Sequence, residues 1–262
     1  MQATATLSPI RRRLRHAARV ALAIKLLGLG LVAVAVFFAA NWVFQVIRKP
    51  SALLAPVAGR LAKTPPATWA AYGHLFREHS TDIVSPELLA ALAQVEGQGN
   101  PVAQTYWVWR LDWNPLEIYR PASSAVGMFQ ITDGAFAEAR RYCIRDHAVV
   151  RDGPWHDWRS CWFNSLYTRV VPSHAVELTS AHLHQSVVDL LARRPGARAT
   201  LEQKQTLAAV VHLCGRQRGE AFVRQGFHVR RGERCGSHDL RAHVAAVRRL
   251  KARFAEYARA GS

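Results

Sequence analysis

Acidic residues are missing from the first part of the chain. Residues 1–77 contain no Asp or Glu, although they contain eleven Lys and Arg. Only +6 of the formal net charge of +17 therefore belongs to residues 78–262. A nucleic-acid-binding domain gathers its basic residues into a patch on the folded surface, so this distribution disfavours nucleic acid as a partner. The remaining charge suits an anionic wall polymer or lipid surface, and equally an Arg-rich composition without functional meaning.

Motifs for metal ligation are also missing. The chain has only four cysteines and no Cys-x-x-Cys pair. Two pairs of histidines lie close in sequence, but neither has further ligand residues at the spacing of a zinc site. These pairs are His182 with His184 and His238 with His243. We therefore expect no metal and no cofactor.

A long apolar run lies between basic flanks. Residues 26–47 are apolar apart from Asn41 and Gln45, and a helix of about twenty residues crosses the hydrocarbon core of a bilayer. Six basic residues precede the run and two follow it directly, which favours an N-terminus in the cytoplasm. A cleaved signal peptide is the alternative, but the run is long and lacks a small-x-small cleavage site. The predicted segments are a cytoplasmic basic segment (1–25), a transmembrane anchor (26–47), a linker (48–66) and one domain (67–262).

The four cysteines predict two disulfides, because a domain beyond the membrane lies in an oxidising compartment. Three pairings are open. We favour the two that close local loops, each contributing about 3 kcal/mol in the chain-entropy model. The favoured pairs are Cys143–Cys161 and Cys214–Cys235.

Helix-start signals and apolar spacing predict a mainly α-helical domain. At most a small β-hairpin is expected, around residues 148–151. The predicted helices are one from about Ala67 to Glu78, one capped by Ser85, one from Gly134 to about Tyr142 after a Thr132 cap, one from a Ser173 cap to Arg194 before Pro195-Gly196, one from a Thr200–Gln203 capping box to about Leu213, and one capped by Ser237.

Glu96 stands at the end of the helix that Ser85 caps. Leu88, Leu92 and Glu96 share one face of that helix, and Gly97 helps to end it. A carboxylate there is partly desolvated and lies where the helix dipole disfavours an anion. Both effects raise the pKa, as a general acid near neutrality requires. The alternative is an ordinary helix-end Glu that leans into solvent.

Two blocks of motif residues surround this position. They are Glu96-Gly97-x-x-Asn100-Pro101-x-Ala103 and Ser123-x-Ala125-x-Gly127-Met128-x-Gln130-Ile131. In this order they resemble lytic transglycosylases of soluble-lytic type (the SLT domain), whose relatives include goose-type lysozymes. Three features depart from the family: Gly97 replaces the usual Ser, about twenty residues separate the blocks instead of a few, and the Ala-Tyr-Asn motif has only a loose counterpart at 208–215.

The resemblance implies a lysozyme-like helical fold and cleavage of peptidoglycan. The bond would be the β-1,4 link from N-acetylmuramic acid to N-acetylglucosamine, with Glu96 as the single acid/base and 1,6-anhydromuramyl ends as products. The anchor would lie in a bacterial inner membrane, with the catalytic domain in the periplasm. The partners would be glycan strands, the membrane itself and, as a further candidate, an envelope-spanning protein assembly.

The resemblance also implies residues that bind the glycan: Gln130, Met128, Ser123 and His212. An aromatic insertion between the blocks adds Tyr106, Trp107 and Trp109, because aromatic faces stack on sugar rings. Two alternatives are open. Gln130 could make a structural bond near the end of the helix, and the aromatic residues could fill the core beneath a long loop.

Two other functions remain alternatives. A lysozyme-like hydrolase would use water in place of the 6-hydroxyl and a second carboxylate, for which Asp112, Glu117 and Asp133 are the candidates. A non-catalytic wall-binding module, such as a scaffold protein, is the alternative from another class. The replacement of the usual Ser by Gly97 and the altered Ala-Tyr-Asn motif favour it, whereas Glu96 and Gln130 speak against it.

Overall fold

The computed structural model describes residues 9–54, 58–194, 196 and 198–260. The first eight residues of the basic segment, linker residues 55–57 and the helix stop at Pro195 lie outside this range. The described part is mainly helical, with seven α-helices and three two-stranded sheets. It divides into two compact units, one of Met1–Pro50 with Trp107–Arg120 and the other of Ser51–Tyr106 with Pro121–Ser262.

The first unit is built on one long helix, α1 (Pro9–Arg48). The stretch Arg13–Arg48 is long and apolar enough to cross a membrane, and its apolar side chains are largely exposed. The apolar run predicted as an anchor lies wholly within α1. The short strands β1 (Trp107–Trp109) and β2 (Tyr119–Pro121) pair with each other.

The second unit holds six helices. They are α2 (Pro65–Glu78), α3 (Pro86–Gly97), α4 (Asp133–Ala139), α5 (Pro172–Ala192), α6 (Leu201–Arg224) and α7 (Leu240–Ala260). Helix α3 is the most deeply buried: its residues 88–93 are all at most 1 % exposed. It packs against α7 and α2, while α5 packs against α6. The hydrophobic core includes Phe76, Phe129 and Phe254.

Both favoured disulfides are present, and each lies beside a small hairpin. Strands β3 (Tyr142–Arg145) and β4 (Ala148–Arg151) form an antiparallel pair, next to the Cys143–Cys161 bond. Strands β5 (Arg234–Cys235) and β6 (His238–Asp239) pair at the Cys214–Cys235 bond. The hairpin expected around residues 148–151 is confirmed. The limit of one hairpin is wrong, because two further pairs form in loops whose sequence lacks alternation.

Several helix starts agree with the capping rules. Ser85 Oγ accepts from the amide of Leu88, and Thr200 with Gln203 forms the complete capping box. Helix α4 ends at Ala139, three residues before its predicted end, because Tyr142 already pairs in β3.

Two predicted caps are wrong. Helix α5 begins at Pro172, so Ser173 lies inside its first turn. The last helix begins at Leu240, and Asp239 rather than Ser237 caps it by accepting from the amide of Ala242.

Candidate active site

Glu96 lies at the end of α3 in a mostly apolar setting. Gln98 ends the helix in the left-handed conformation, with φ of 52°. The side chain of Glu96 is 15 % exposed, and its Oε1 atom is buried without a hydrogen-bond partner among the described residues. This burial raises the pKa of the Glu96 carboxyl from 4.5 to about 7. Near neutrality a large fraction of the group is therefore protonated, as a general acid must be.

His243 of α7 faces this carboxyl. Its Nε2 atom lies 3.7 Å from Glu96 Oε1 and is likewise buried without a hydrogen-bond partner in the described chain. Burial, with a smaller contribution from His238, lowers the pKa of His243 to about 4. At neutral pH the imidazole is therefore uncharged and does not hold Glu96 in its anionic form. No sequence pattern predicts this pair, because the two residues are far apart along the chain. In the sequence His243 stood out only as a member of the histidine pair with His238, which does not point to Glu96.

The two motif blocks meet at Gly97. A Cβ atom at this position would lie 2.7 Å from Met128 Cα and 2.8 Å from the Met128 carbonyl oxygen. Backbone cannot yield as a flexible side chain can, so this contact requires glycine. A Ser, which usually follows the Glu in the family that the chain resembles, does not fit at this position. This contact explains why the chain differs from the family pattern here.

The second block is a tight loop held from two sides. Gly127 has φ of +81°, and a Cβ there would lie 2.3 Å from the Arg169 carbonyl oxygen. The Arg169 guanidinium donates hydrogen bonds of 2.9 Å to the carbonyls of Ser124 and Ile131, and pairs with Asp133 at 2.8 Å. Arg169 thus organises the loop, and no motif in the sequence identified it.

The predicted glycan ligands of this loop have different environments. Gln130 Nε2 donates to the Gly127 carbonyl at 2.9 Å and to the Ala103 carbonyl at 3.3 Å, so the structural role weighed for Gln130 is present. Met128 is completely buried in the core, which does not suit the substrate contact expected of it. Ser123 is exposed, and its Oγ accepts from the amide of Ala125.

A cavity of about 280 Å³ opens beside the loop. Gln130 and His212, two of the predicted ligands, line it together with His182, Glu138 and Arg216; Glu96 is not among its lining residues. Burial lowers the pKa of His212 to about 3, with smaller contributions from the neighbouring His243 and His182, while a hydrogen bond with the backbone of Phe129 acts in the opposite direction. Arg216 bonds Glu138 at 2.8 Å, so its charge is paired. The polar part of the lining therefore consists of neutral imidazoles, an amide and a paired ion. Much of the rest is apolar and includes Ile131, Leu178 and Val211.

The helix that carries His212 has a break next to the cavity. Gly215 has φ of 78° and ψ of 174° inside α6, which a side chain would not favour. The expected helix end at about Leu213 falls just before this break. Helical residues continue beyond it to Arg224.

The aromatic residues of the insertion fall in both units. Tyr106 is 73 % exposed and belongs to the unit that holds Glu96. Trp107 and Trp109 belong to the unit of α1, where their rings lie 5.1 and 4.7 Å from that of Tyr119. Tilted ring contacts with Tyr119, together with partial exposure, describe Trp107 and Trp109 better than burial beneath a loop.

Each candidate second carboxylate is paired with arginine. Asp112 lies 3.8 Å and Glu117 3.0 Å from Arg120, both in the unit of α1. Asp133 is paired with Arg169 and is 70 % exposed. Within the described ranges, no three His, Cys, Asp or Glu side chains are grouped as metal ligands would be.

Comparison with models of known protein families, with curated proteins and with solved structures gives no match. The resemblance to lytic transglycosylases therefore depends on the motif residues and on their arrangement around Glu96.

Proposed function

We propose that the chain is a membrane-anchored peptidoglycan lytic transglycosylase with Glu96 as its single acid/base and a lysozyme-like helical domain. The observation that carries the proposal is the desolvated carboxyl of Glu96, whose pKa is raised to about 7 at the point where the two motif blocks meet. The basic residues that precede the apolar run within α1 support a cytoplasmic N-terminus, with the helical domain on the opposite side, in the periplasm.

The chemistry needs one carboxyl that changes its protonation state between two steps. Protonated Glu96 first donates its proton to the leaving glycosidic oxygen as the bond from that oxygen to the muramyl anomeric carbon breaks. The resulting carboxylate then accepts the proton of the muramyl 6-hydroxyl, whose oxygen bonds to the anomeric carbon. This closes the 1,6-anhydro ring and restores the acid. A group whose pKa lies near the working pH is suited to both steps.

The environment of the other carboxylates supports this single-residue scheme. Ordinary retaining and inverting glycosidases hold two carboxyl groups on either side of the scissile bond. Asp133 is committed to an ion pair with Arg169, and Asp112 and Glu117 are both paired with Arg120. A hydrolase would need one of these side chains beside Glu96.

The cavity lined by Gln130 and His212 is the proposed glycan subsite. Its volume of about 280 Å³ is at the lower end of the range for small-molecule pockets and suits about one sugar residue. Gln130 can offer its amide oxygen to a sugar hydroxyl, since its amide nitrogen is engaged by the loop. His212, being neutral, can donate or accept without an electrostatic cost.

One observation favours a second candidate, a wall-binding protein without catalysis. Glu96 does not line the cavity, and its Oε1 faces His243 at 3.7 Å. If this arrangement persists when a glycan is bound, the chain would hold peptidoglycan as part of an envelope assembly without cleaving it.

A digest of purified peptidoglycan by the full chain in mild detergent separates these functions. The wild type is compared with Glu96→Gln and with Glu87→Gln, the same change at the other end of the same helix. We expect mass spectrometry to show anhydromuramyl ends from the wild type and Glu87→Gln, but none from Glu96→Gln. Reducing ends, heavier by one water, would show a hydrolase. Binding to the sacculus without products from any protein would favour the wall-binding alternative.

A further inference from the structure

The insertion between the motif blocks is fastened to α1 by polar contacts. Asn41 Nδ2 and Gln45 Nε2 each donate a hydrogen bond of 2.8 Å to the carbonyl oxygen of Leu116. These are the two polar residues that interrupt the apolar run, and they are 1 % and 5 % exposed. Nearer the end of the helix, Arg48 forms an ion pair with Glu117. The two polar residues of the apolar run therefore hold the insertion against α1.

Aromatic contacts continue this docking along the helix. The ring of Phe38 lies 6.0 Å from that of Trp109 and 5.9 Å from that of Tyr119, edge to face in both cases. Phe38 precedes Arg48 by ten residues, which is about 15 Å along a helix. The loop thus follows the last part of the apolar run, with its aromatic end toward the middle of the run and its charged end toward Arg48.

The same loop exposes large apolar side chains. Leu111 and Trp113 are fully exposed, at 101 % and 102 %, and Trp109 is 62 % exposed. Moving large apolar side chains such as these out of water is favourable. Scattered single cases are ordinary, but here they extend the exposed apolar surface of α1.

We propose that the segment Trp107–Arg120 is a membrane-interface segment that inserts Leu111, Trp113 and Trp109 among the lipid headgroups where α1 leaves the bilayer. A bilayer that surrounds the apolar run must meet a segment fastened to the same stretch of helix. Trp and Tyr rings are enriched at this level, and the bonds from Asn41 and Gln45 satisfy a carbonyl that would be costly near hydrocarbon.

This assignment depends on α1 spanning the bilayer and not on the chemistry of Glu96. It gives Trp107 and Trp109 a lipid-facing setting in place of the glycan contact expected from the sequence. The loop would also hold a second segment of the chain, Trp107–Arg120, at the bilayer surface where α1 leaves the membrane.

The test places one fluorescent label in the full chain, reconstituted in vesicles of phosphatidylcholine and phosphatidylglycerol. The four cysteines of the chain form two disulfides, so an introduced cysteine is the only free thiol. Trp113→Cys and, in a second protein, Leu111→Cys carry an environment-sensitive fluorophore. Both side chains are fully exposed, so neither change removes packing. Leu29→Cys in the middle of the run is the lipid reference, and Arg13→Cys at the basic end is the water reference.

We expect doxyl-labelled lipid to quench the label at 113 at least about twofold more than at 13, and aqueous iodide to quench it less. The label at 111 should behave in the same way. Iodide quenching at 113 and 111 equal to that at 13, without lipid quenching, overturns the proposal. Protection of those labels from iodide by soluble peptidoglycan fragments would then identify a glycan surface. Absence of lipid quenching at 29 would also overturn the proposal, because α1 would then not span the bilayer. The peptidoglycan digest would still test the chemistry of Glu96 separately.

Discussion

Replacing Glu96 by glutamine should stabilise the folded chain, and the gain should depend on pH. Glutamine has the shape of the protonated acid and never ionises. The folded state raises the pKa of Glu96 from 4.5 to about 7 because ionisation there leaves a charge in a poorly solvated site. At about 1.4 kcal/mol for each pH unit, full ionisation costs the wild type about 3 kcal/mol.

The sign follows from which state binds the proton. Below about pH 4.5 the carboxyl of Glu96 is protonated in both the folded and the unfolded chain, so the free energy of unfolding has no contribution from it. Between about 4.5 and 7 the folded state binds more protons than the unfolded state, so stability falls as pH rises. Above about 7 the whole cost is present. A typical ion-paired carboxylate behaves in the opposite way.

The assay is urea unfolding of the full chain in mild detergent, followed by tryptophan fluorescence at about pH 4 and about pH 8.5. We expect Glu96→Gln to match the wild type at the lower pH and to be more stable by up to about 3 kcal/mol at the higher pH. Glu87→Gln is the matched control and should show no such pH-dependent gain. A difference between wild type and Glu96→Gln that does not change with pH would refute the reasoning, because the carboxyl would then titrate as it does in water.

Three further predictions concern the frame around the site. Gly97→Ser places a Cβ 2.7 Å from Met128 Cα and should destabilise the chain by about 1–3 kcal/mol in the same urea assay. An unchanged free energy of unfolding would contradict this. Replacing both Cys143 and Cys161 by alanine opens a loop with a sequence separation of 18 and should cost about 3 kcal/mol; unchanged thermal unfolding would contradict this. Arg169→Ala removes two part-buried hydrogen bonds of 2.9 Å to the loop carbonyls and should lower the free energy of unfolding by about 1–3 kcal/mol. Arg169→Lys should recover part of this loss, and a full recovery would show that the forked geometry of the guanidinium is unimportant.

Local signals in the sequence were sufficient for much of the helical frame. Ser85 and Thr200 act as caps because the hydrogen bonds of a cap involve residues only three apart. The pairing of both disulfides could also be predicted, since each closes a short loop. Ser237 failed as a cap because β6 intervenes before the last helix begins, and its pairing with β5 depends on a hairpin that has no alternation to predict it.

The candidate site was predicted only in part, because its environment depends on residues distant in sequence. The position of Glu96 at the end of a buried helix could be read from apolar spacing, and the rise of its pKa followed from that. His243 and Arg169 could not be found, since their roles arise when α7 and the loop before α5 meet the motif blocks. Gln130 was identified as a candidate, but its engagement by the loop carbonyls is a tertiary feature.

The most direct test of the central claim is the pH dependence of the rate at which the full chain releases anhydromuramyl products from purified peptidoglycan. The reaction begins with protonated Glu96, whose pKa is raised to about 7. The account therefore predicts a rate, as kcat/KM, that falls above about pH 7 as the acid loses its proton, and no anhydromuramyl release by Glu96→Gln. A rate that stays constant well above pH 7, or products that carry only reducing ends, would contradict the account.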